Sequence, residues 1–244
     1  TYVEYLGELR DLFSEVYELT DDDGSLWIVV NTFRRNREIV QLPFDLARVC
    51  QNLDQGLECS NCGNTILRGV DELDSRKTTC PNCGHTTTND DSWILQDIVV
   101  WNKNRALPYT KEGRLRNVFE YILCFSKTPE FELKMDRIRE SDPNGFQQWW
   151  ADFPERYHPL GKLPENIWEF EPPTRGSFTG EADVFDHPAA FPPDLVERIL
   201  TLSTDDNDVV LDPFAGSGVV VGQAELMNRK AIGAELNKKY CNAY

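Results

Sequence analysis

Leu211-Asp212-Pro213-Phe214-Ala215-Gly216-Ser217-Gly218 is the stretch that decides the fold. It leaves an apolar strand read over 209–211 and enters a helix read over 218–227, and a second strand follows over 231–236. Strand, helix and strand in that order form a βαβ unit, the building block of an α/β sheet. Ligands of open α/β sheets bind at the carboxyl ends of the strands, which is where this turn lies. Gly216 and Gly218 remove side chains where a ligand must approach the backbone. The helix that starts near Gly218 offers N–H groups with no partner inside the helix. Glu235, in Gly233-Ala234-Glu235-Leu236 at the tip of the second strand, is placed to accept hydrogen bonds from a ribose 2′,3′-hydroxyl pair. The residue types alone also fit an ordinary βα turn. The three-glycine dinucleotide fingerprint is absent, because Val221 stands where the third glycine would be.

Outward from that turn, 192–202 reads as a helix. The opening of the chain does too: Tyr2, Tyr5, Leu6, Leu9, Leu12, Phe13, Val16 and Tyr17 recur at helical spacing. Asp21-Asp22-Asp23-Gly24 is a turn signal. The continuous apolar run 26–30 predicts a strand covered on both faces of a parallel sheet. Pro43 opens a short helix to Val49, and 93–101 and 118–125 read as strands. Between 129 and about 190 the pattern is irregular, with prolines and charges among Trp149, Trp150, Tyr157, Trp168 and Phe170. This predicts a loop-rich module whose aromatics serve either as core or as ligand contacts.

Hydrophobic residues make up 40% of the 244-residue chain, enough for a packed core and too many for a disordered one. No apolar run approaches the roughly 18 residues of a membrane span, and the acidic, amphipathic first ten residues do not read as a secretion signal. The formal net charge of −16 is opposite in sign to that of most nucleic-acid binders. Cations cluster all the same, with Arg34, Arg35 and Arg37 in one run and Lys103, Arg105, Lys111, Arg114, Arg116 and Lys127 in another. It is the local field that meets a phosphate.

Four of the seven cysteines form two tight pairs, Cys59-x-x-Cys62-Gly63 and Cys80-x-x-Cys83-Gly84, with 17 residues between the pairs. That spacing predicts a closed, tetrahedral structural zinc site. A glycine after each pair permits the turn that aims backbone N–H groups at the sulfurs. The odd cysteine count points to a reducing compartment rather than a disulfide framework. Disulfide or reactive pairs are the alternative reading of the same residues.

The string Asp212-Pro-Phe-Ala-Gly-Ser-Gly218, followed after one helix by Gly233-Ala-Glu-Leu-Asn237, resembles the cofactor motif of the N4-cytosine/N6-adenine DNA methyltransferase family. The segment from His187 to Ile199 resembles that family's preceding motif. The resemblance implies a Rossmann-like α/β fold for S-adenosylmethionine-dependent methylation with an irregular target-recognition module; the zinc-ribbon insertion, which is not general to that family, is expected from the cysteine spacing alone. The resemblance also implies the permuted order: base-handling half at 1–56 and 89–128 on either side of the ribbon at 57–88, target recognition at 129–186 and cofactor half at 187–244. Asp212, Pro213, Phe214, Ala215, Gly216, Gly218, Glu235, Leu236, His187 and Phe191 are then expected to bind S-adenosylmethionine. Arg34, Arg35, Arg37, Lys103, Arg105 and Arg114 are expected to border double-stranded DNA from which the target base is flipped. A restriction endonuclease as companion, and a prokaryotic, archaeal or phage-encoded protein working in the cytoplasm, are implied in the same way.

The exocyclic amine of adenine or cytosine is a poor nucleophile, because its lone pair is delocalised into the ring. The family meets this with an acidic or polar residue, then Pro-Pro, then an aromatic that stacks on the extruded base. This sequence contains no such tetrapeptide. Glu171-Pro-Pro-Thr174 lacks the aromatic, and Phe191-Pro-Pro-Asp194 belongs to the cofactor-side segment. The family pattern places the motif just before the first helix, so it is expected upstream of Thr1. On that expectation residues 1–244 alone would bind the cofactor without transferring methyl groups. A non-catalytic module binding S-adenosylmethionine and zinc beside a partner is the alternative function, and an RNA substrate is a further one.

Overall fold

A computed structural model describes residues 1–52, 57–66, 77–88, 92–104, 115–141, 151–154, 158–173 and 191–241. The chain divides into two compact units, 1–99 with 120–131, and 100–119 with 132–244. Each unit combines helices and strands.

The first unit is built on helix α1 (Tyr2–Leu19), whose Leu9, Phe13 and Tyr17 recur every fourth residue and form its buried stripe. The helix stops at Thr20, which turns extended. Lys127 Nζ then donates to the Thr20 carbonyl at 2.7 Å and lies 4.9 Å above the Tyr17 ring, placing a cation at the negative end of the helix dipole. The following turn needs Gly24, since a Cβ there would meet Thr20 Cγ2 at 2.4 Å. Strand β1 (Ser25–Val30) pairs antiparallel with β9 (Phe119–Ser126), Ser25 opposite Ser126 and Val30 opposite Tyr121. This corrects the parallel arrangement expected from the apolar run. Leu26, Ile28 and Val30 pack against the core of Leu9, Phe13, Leu46, Leu123 and Phe125, yet every β1 residue remains half-buried. Trp93 seals this core. Its Nε1–H donates to the Phe13 carbonyl at 3.0 Å, and its ring meets Tyr17 edge-on at 5.2 Å. Between β1 and helix α2 (Leu42–Cys50) the chain forms a short antiparallel hairpin, β2 (Phe33–Arg35) and β3 (Glu38–Val40). Two further hairpins, β4 (Leu57–Glu58) with β5 (Thr65–Ile66) and β6 (Lys77–Thr79) with β7 (Thr86–Thr88), carry the paired cysteines.

Strand β8 (Ile94–Asn102) runs out of the first unit, and its last residues belong to the second. There Val100, Trp101 and Asn102 pair in parallel with Ile167, Trp168 and Glu169 of β10 (Ile167–Glu169). Trp101 and Trp168 are buried and donate Nε1–H to the carbonyls of Phe170 and Glu165. Trp168 is therefore core, one of the two roles open to the aromatics of this region; Trp149, Trp150 and Tyr157 lie outside the described residues. Helix α3 (Pro193–Ser203) precedes the parallel pair β11 (Val209–Asp212) and β12 (Lys230–Gly233), with α4 (Val219–Leu226) between them. Val196, Leu200 and Ala224 form the core between these helices and strands. A short α5 (Lys238–Cys241) follows. Among the described residues no helix is long and apolar enough to cross a membrane.

Candidate cofactor site and metal centre

Parallel pairing of Leu211 with Ile232 and Asp212 with Gly233 brings the two strand tips together. The loops beyond them interlock through their backbones. Ala215 N–H donates to the Ala234 carbonyl and Ala234 N–H to the Asp212 carbonyl, both at 2.9 Å. Gly216 and Gly218 take the left-handed conformation, with φ of 54° and 72°, and Gly218 caps α4. That turn is open to residues without a Cβ and strained for others. Gly233 answers a different demand. A Cβ there would lie 2.8 Å from Val221 Cγ2 and 3.0 Å from Ala215 Cβ, so its bareness lets α4 and the loop close on the strand.

Glu235 spans the two loops. Its Oε2 accepts from Gly216 N–H at 2.8 Å, and its Oε1 accepts from Asn237 N–H at 2.6 Å. Asp212 Oδ1 accepts from Phe214 N–H at 3.0 Å. Burial raises the Asp212 carboxyl above the usual carboxylate range; the Phe214 hydrogen bond opposes this, and the charge of Glu235 adds to it. The two carboxylates thus accept from the backbone N–H groups of Phe214, Gly216 and Asn237, with the Phe214 ring 62% exposed. A ligand carrying both positive charge and vicinal hydroxyls suits this arrangement.

The structure brings Asp212, Pro213, Phe214, Ala215, Gly216, Gly218 and Glu235 together on the two loops. Leu236 follows with its side chain fully exposed. Phe191 packs against the Val196–Leu200–Ala224 core and meets Trp101 edge-on at 6.5 Å. His187 lies outside the described residues. Gly233, Ala234 and Asn237 do not stand out as site residues in the sequence. Ala234 acts through backbone atoms and Gly233 through the side chain it lacks, and only Asn237, beside the recognised acid, carries a readable signal.

The four cysteine sulfurs lie within 4.8 Å of one another. Cys59 Sγ is 3.6 Å from Cys83 Sγ, and Cys62 Sγ is 3.7 Å from Cys80 Sγ. A tetrahedron of metal–sulfur bonds of about 2.3 Å has edges near 3.8 Å, so the set fits one ion. The two turns match closely. Cys59 N–H donates to Asn64 O at 2.9 Å and Gly63 N–H to Cys59 O at 2.8 Å; Cys80 N–H donates to His85 O and Gly84 N–H to Cys80 O, both at 2.8 Å. Gly63 and Gly84 are left-handed at 68° and 72°. Desolvation raises the Cys59 thiol, but N–H groups of Asn61 and Cys62 and the Cys83 and Cys62 thiols outweigh it and bring it to about 6. His85 is engaged with Ser60 Oγ at 3.1 Å, outside the sulfur cluster.

Of the cations expected at a nucleic-acid surface, Arg34, Arg35 and Arg37 lie exposed on the β2–β3 hairpin of the first unit. Lys103, in the second unit, is half-buried with its ammonium 5.0 Å over the Trp101 ring. Arg105 and Arg114 lie outside the described residues.

The strand-tip glycine loop and its acid, on an α/β frame, are the features of a nucleotide-type cofactor fold. The sequence matches the N6/N4 DNA methylase family over residues 1–244, and the chain belongs to that family. It is 30% identical to the type II methyltransferase M1.MboII of Moraxella bovis over 254 aligned positions, covering 98% of this chain and 77% of the relative. Among solved structures, the cytosine-N4-specific PvuII DNA methyltransferase superposes with a TM-score of 0.67 at 17% identity, covering 98% of this chain and 69% of the other. A DNA modification methylase of Thermus thermophilus, described as putative and solved with S-adenosyl-L-methionine, gives 0.56 at 22% identity, covering 99% and 75%. Matches to curated relatives span from 39% to 77% of those relatives' lengths.

Proposed function

We propose that this protein transfers a methyl group from S-adenosylmethionine to the exocyclic amine of adenine (N6) or cytosine (N4) in double-stranded DNA. The observation that carries the reading is Glu235 reaching from the tip of β12 to the Gly216 N–H, within a chain of the DNA methylase family. The residues fit the cofactor. Two left-handed glycines leave the loop bare, two carboxylates face a site suited to a cation, and an exposed aromatic borders it. S-adenosylmethionine supplies an electrophilic methyl group on a sulfonium. Glu235 would hold the ribose hydroxyls, Asp212 would set a negative field against the sulfonium and ammonium charges, and the exposed Phe214 ring would border the bound cofactor. Leu236, Phe191 and His187 complete the pocket in this reading. Geometry and electrostatics then account for the rate of an in-line transfer.

Arg34, Arg35, Arg37, Lys103, Arg105 and Arg114 border the DNA. Zinc occupies the Cys59–Cys62–Cys80–Cys83 cluster, where four sulfurs leave no open position for catalysis. The domain halves follow the permuted order, with target recognition at 129–186, and a partner restriction endonuclease fits the likeness to type II enzymes.

The test is incorporation of labelled methyl from S-adenosylmethionine into mixed-sequence DNA by the full-length protein, followed by nucleoside analysis. Label in N6-methyladenine or N4-methylcytosine is the expected result. Cofactor binding without incorporation would favour a non-catalytic module, and label confined to RNA would overturn the substrate.

A further inference from the structure

The β2–β3 hairpin reverses in two residues. Arg35 pairs with Glu38 across the strands, and only Asn36 and Arg37 lie between them, at φ of 52° and 71°. Two consecutive positive φ values are the mark of the turn whose twist suits a tight hairpin, and its second position favours glycine above all other residues. Arginine there holds a backbone conformation that its Cβ opposes. Strain of this kind persists only where the surrounding structure holds it in place, and such positions cluster at functional sites.

The neighbouring charges point the same way. Arg34 Nη1 donates to the Arg37 carbonyl at 3.2 Å, which draws a second guanidinium toward the turn. Among the described residues neither Arg34 nor Arg37 has an ion-pair partner, in a chain of net charge −16 that offers carboxylates widely. The base of the hairpin is braced. Phe33 meets the Tyr2 ring edge-on at 6.2 Å, and the Tyr2 hydroxyl donates to Asp45 Oδ2 at 2.7 Å. Burial, then the Asp45 bond, keeps that phenol protonated. A braced ribbon ending in two unneutralised guanidiniums suits a polyanion whose charges recur at fixed spacing.

We propose that the β2–β3 hairpin is a DNA-contacting arm, and that Arg37, held left-handed at its tip beside Arg34, grips the phosphate backbone. The proposal rests on the DNA-methyltransferase reading and deepens it by naming the element and the tip residue that engage the substrate.

Arg37→Gly separates the two demands on this position, because glycine suits the turn and removes the cation. The variant and Arg34→Ala are made in the full-length protein. Affinity for a labelled mixed-sequence duplex is measured by fluorescence anisotropy across a salt series, alongside thermal melting. Arg37→Gly is expected to melt at or above the parent's temperature. It should bind DNA about three- to tenfold more weakly near 0.1 M salt, with a log–log salt slope flatter by about 0.9 for each phosphate no longer neutralised. Arg34→Ala should weaken binding in the same way. If the parent binds duplex with a steep salt dependence and both variants match it in affinity and slope, the arm is wrong and the methyltransferase reading stands. If the parent shows no salt-dependent duplex binding, the DNA substrate itself fails and the arm with it.

Discussion

Replacing Glu235 by alanine removes one carboxylate that performs two tasks. In the structure it accepts from Gly216 N–H and Asn237 N–H, at 2.8 and 2.6 Å, and so ties the glycine loop to the turn after β12. Hydrogen bonds to a charged group contribute about 1.5–3 kcal/mol each when water is excluded. Glu235 is only half-buried, so water replaces part of that, and a loss of about 1–2 kcal/mol of fold stability is expected, or a fall of roughly 2–8 °C in melting temperature for a chain of this size. If the same carboxylate holds the ribose of S-adenosylmethionine, the variant also loses about 1.5–3 kcal/mol of cofactor affinity. That is roughly a 10- to 150-fold rise in Kd. Titration calorimetry with S-adenosylmethionine reads the second quantity, and melting without cofactor reads the first. A lowered melting temperature with Kd unchanged within twofold would leave Glu235 as a brace alone and refute its assignment to the ribose.

Asp212 offers a test through pH. Its folded carboxyl titrates above its ordinary value, so the stability tied to its protonated form is present at low pH and lost as pH rises through the folded pKa. Asp212→Asn keeps an oxygen for the Phe214 N–H. It should therefore raise the melting temperature at pH 7, with the gain shrinking toward pH 4; a gain independent of pH would exclude burial of the charge as the cause. For the cysteine cluster, elemental analysis of protein purified without added metal should give about one zinc per chain, and a chelator strong enough to strip it should unfold the 57–88 region. A metal-free sample that remains fully folded would end the zinc assignment.

The glycine loop is legible in the sequence because its chemistry is local. Gly216, Gly218 and Glu235 are fixed by what the backbone must do within one βαβ unit, and the cysteine pairs are fixed by two four-residue turns. Strand direction is not legible. The run from Leu26 to Val30 reports that apolar side chains are needed on both faces, whereas pairing with β9 is set by backbone hydrogen bonds that no side chain specifies. The β2–β3 hairpin is hidden because its turn carries Asn36-Arg37 where the usual signal is Asn-Gly. Strand β10 is hidden because Ile167-Trp168-Glu169 is three residues long in proline-rich surroundings. Lys103 reads from sequence as one of a cluster of cations, but its ammonium rests 5.0 Å over the Trp101 ring, a contact that the run of charges does not reveal.

The near-identity of the turns at Cys59–Gly63 and Cys80–Gly84 has a consequence for how this region can change. Each turn is a self-contained two-toothed clip, shaped by its own backbone bonds and its own left-handed glycine. An arriving ion therefore meets two ready-made chelators instead of four separate donors, and the length of chain between them sets their effective concentration. Such a tether is forgiving, because each doubling of its length costs only about 0.6 kcal/mol in closure entropy. Gly63, Asn64 and the strands β5 and β6 belong to the clips themselves, so a change in tether length is best tolerated between β5 and β6. In evolutionary terms the cluster is a hinge pin around which new surface can be tried without disturbing the domain it is set into.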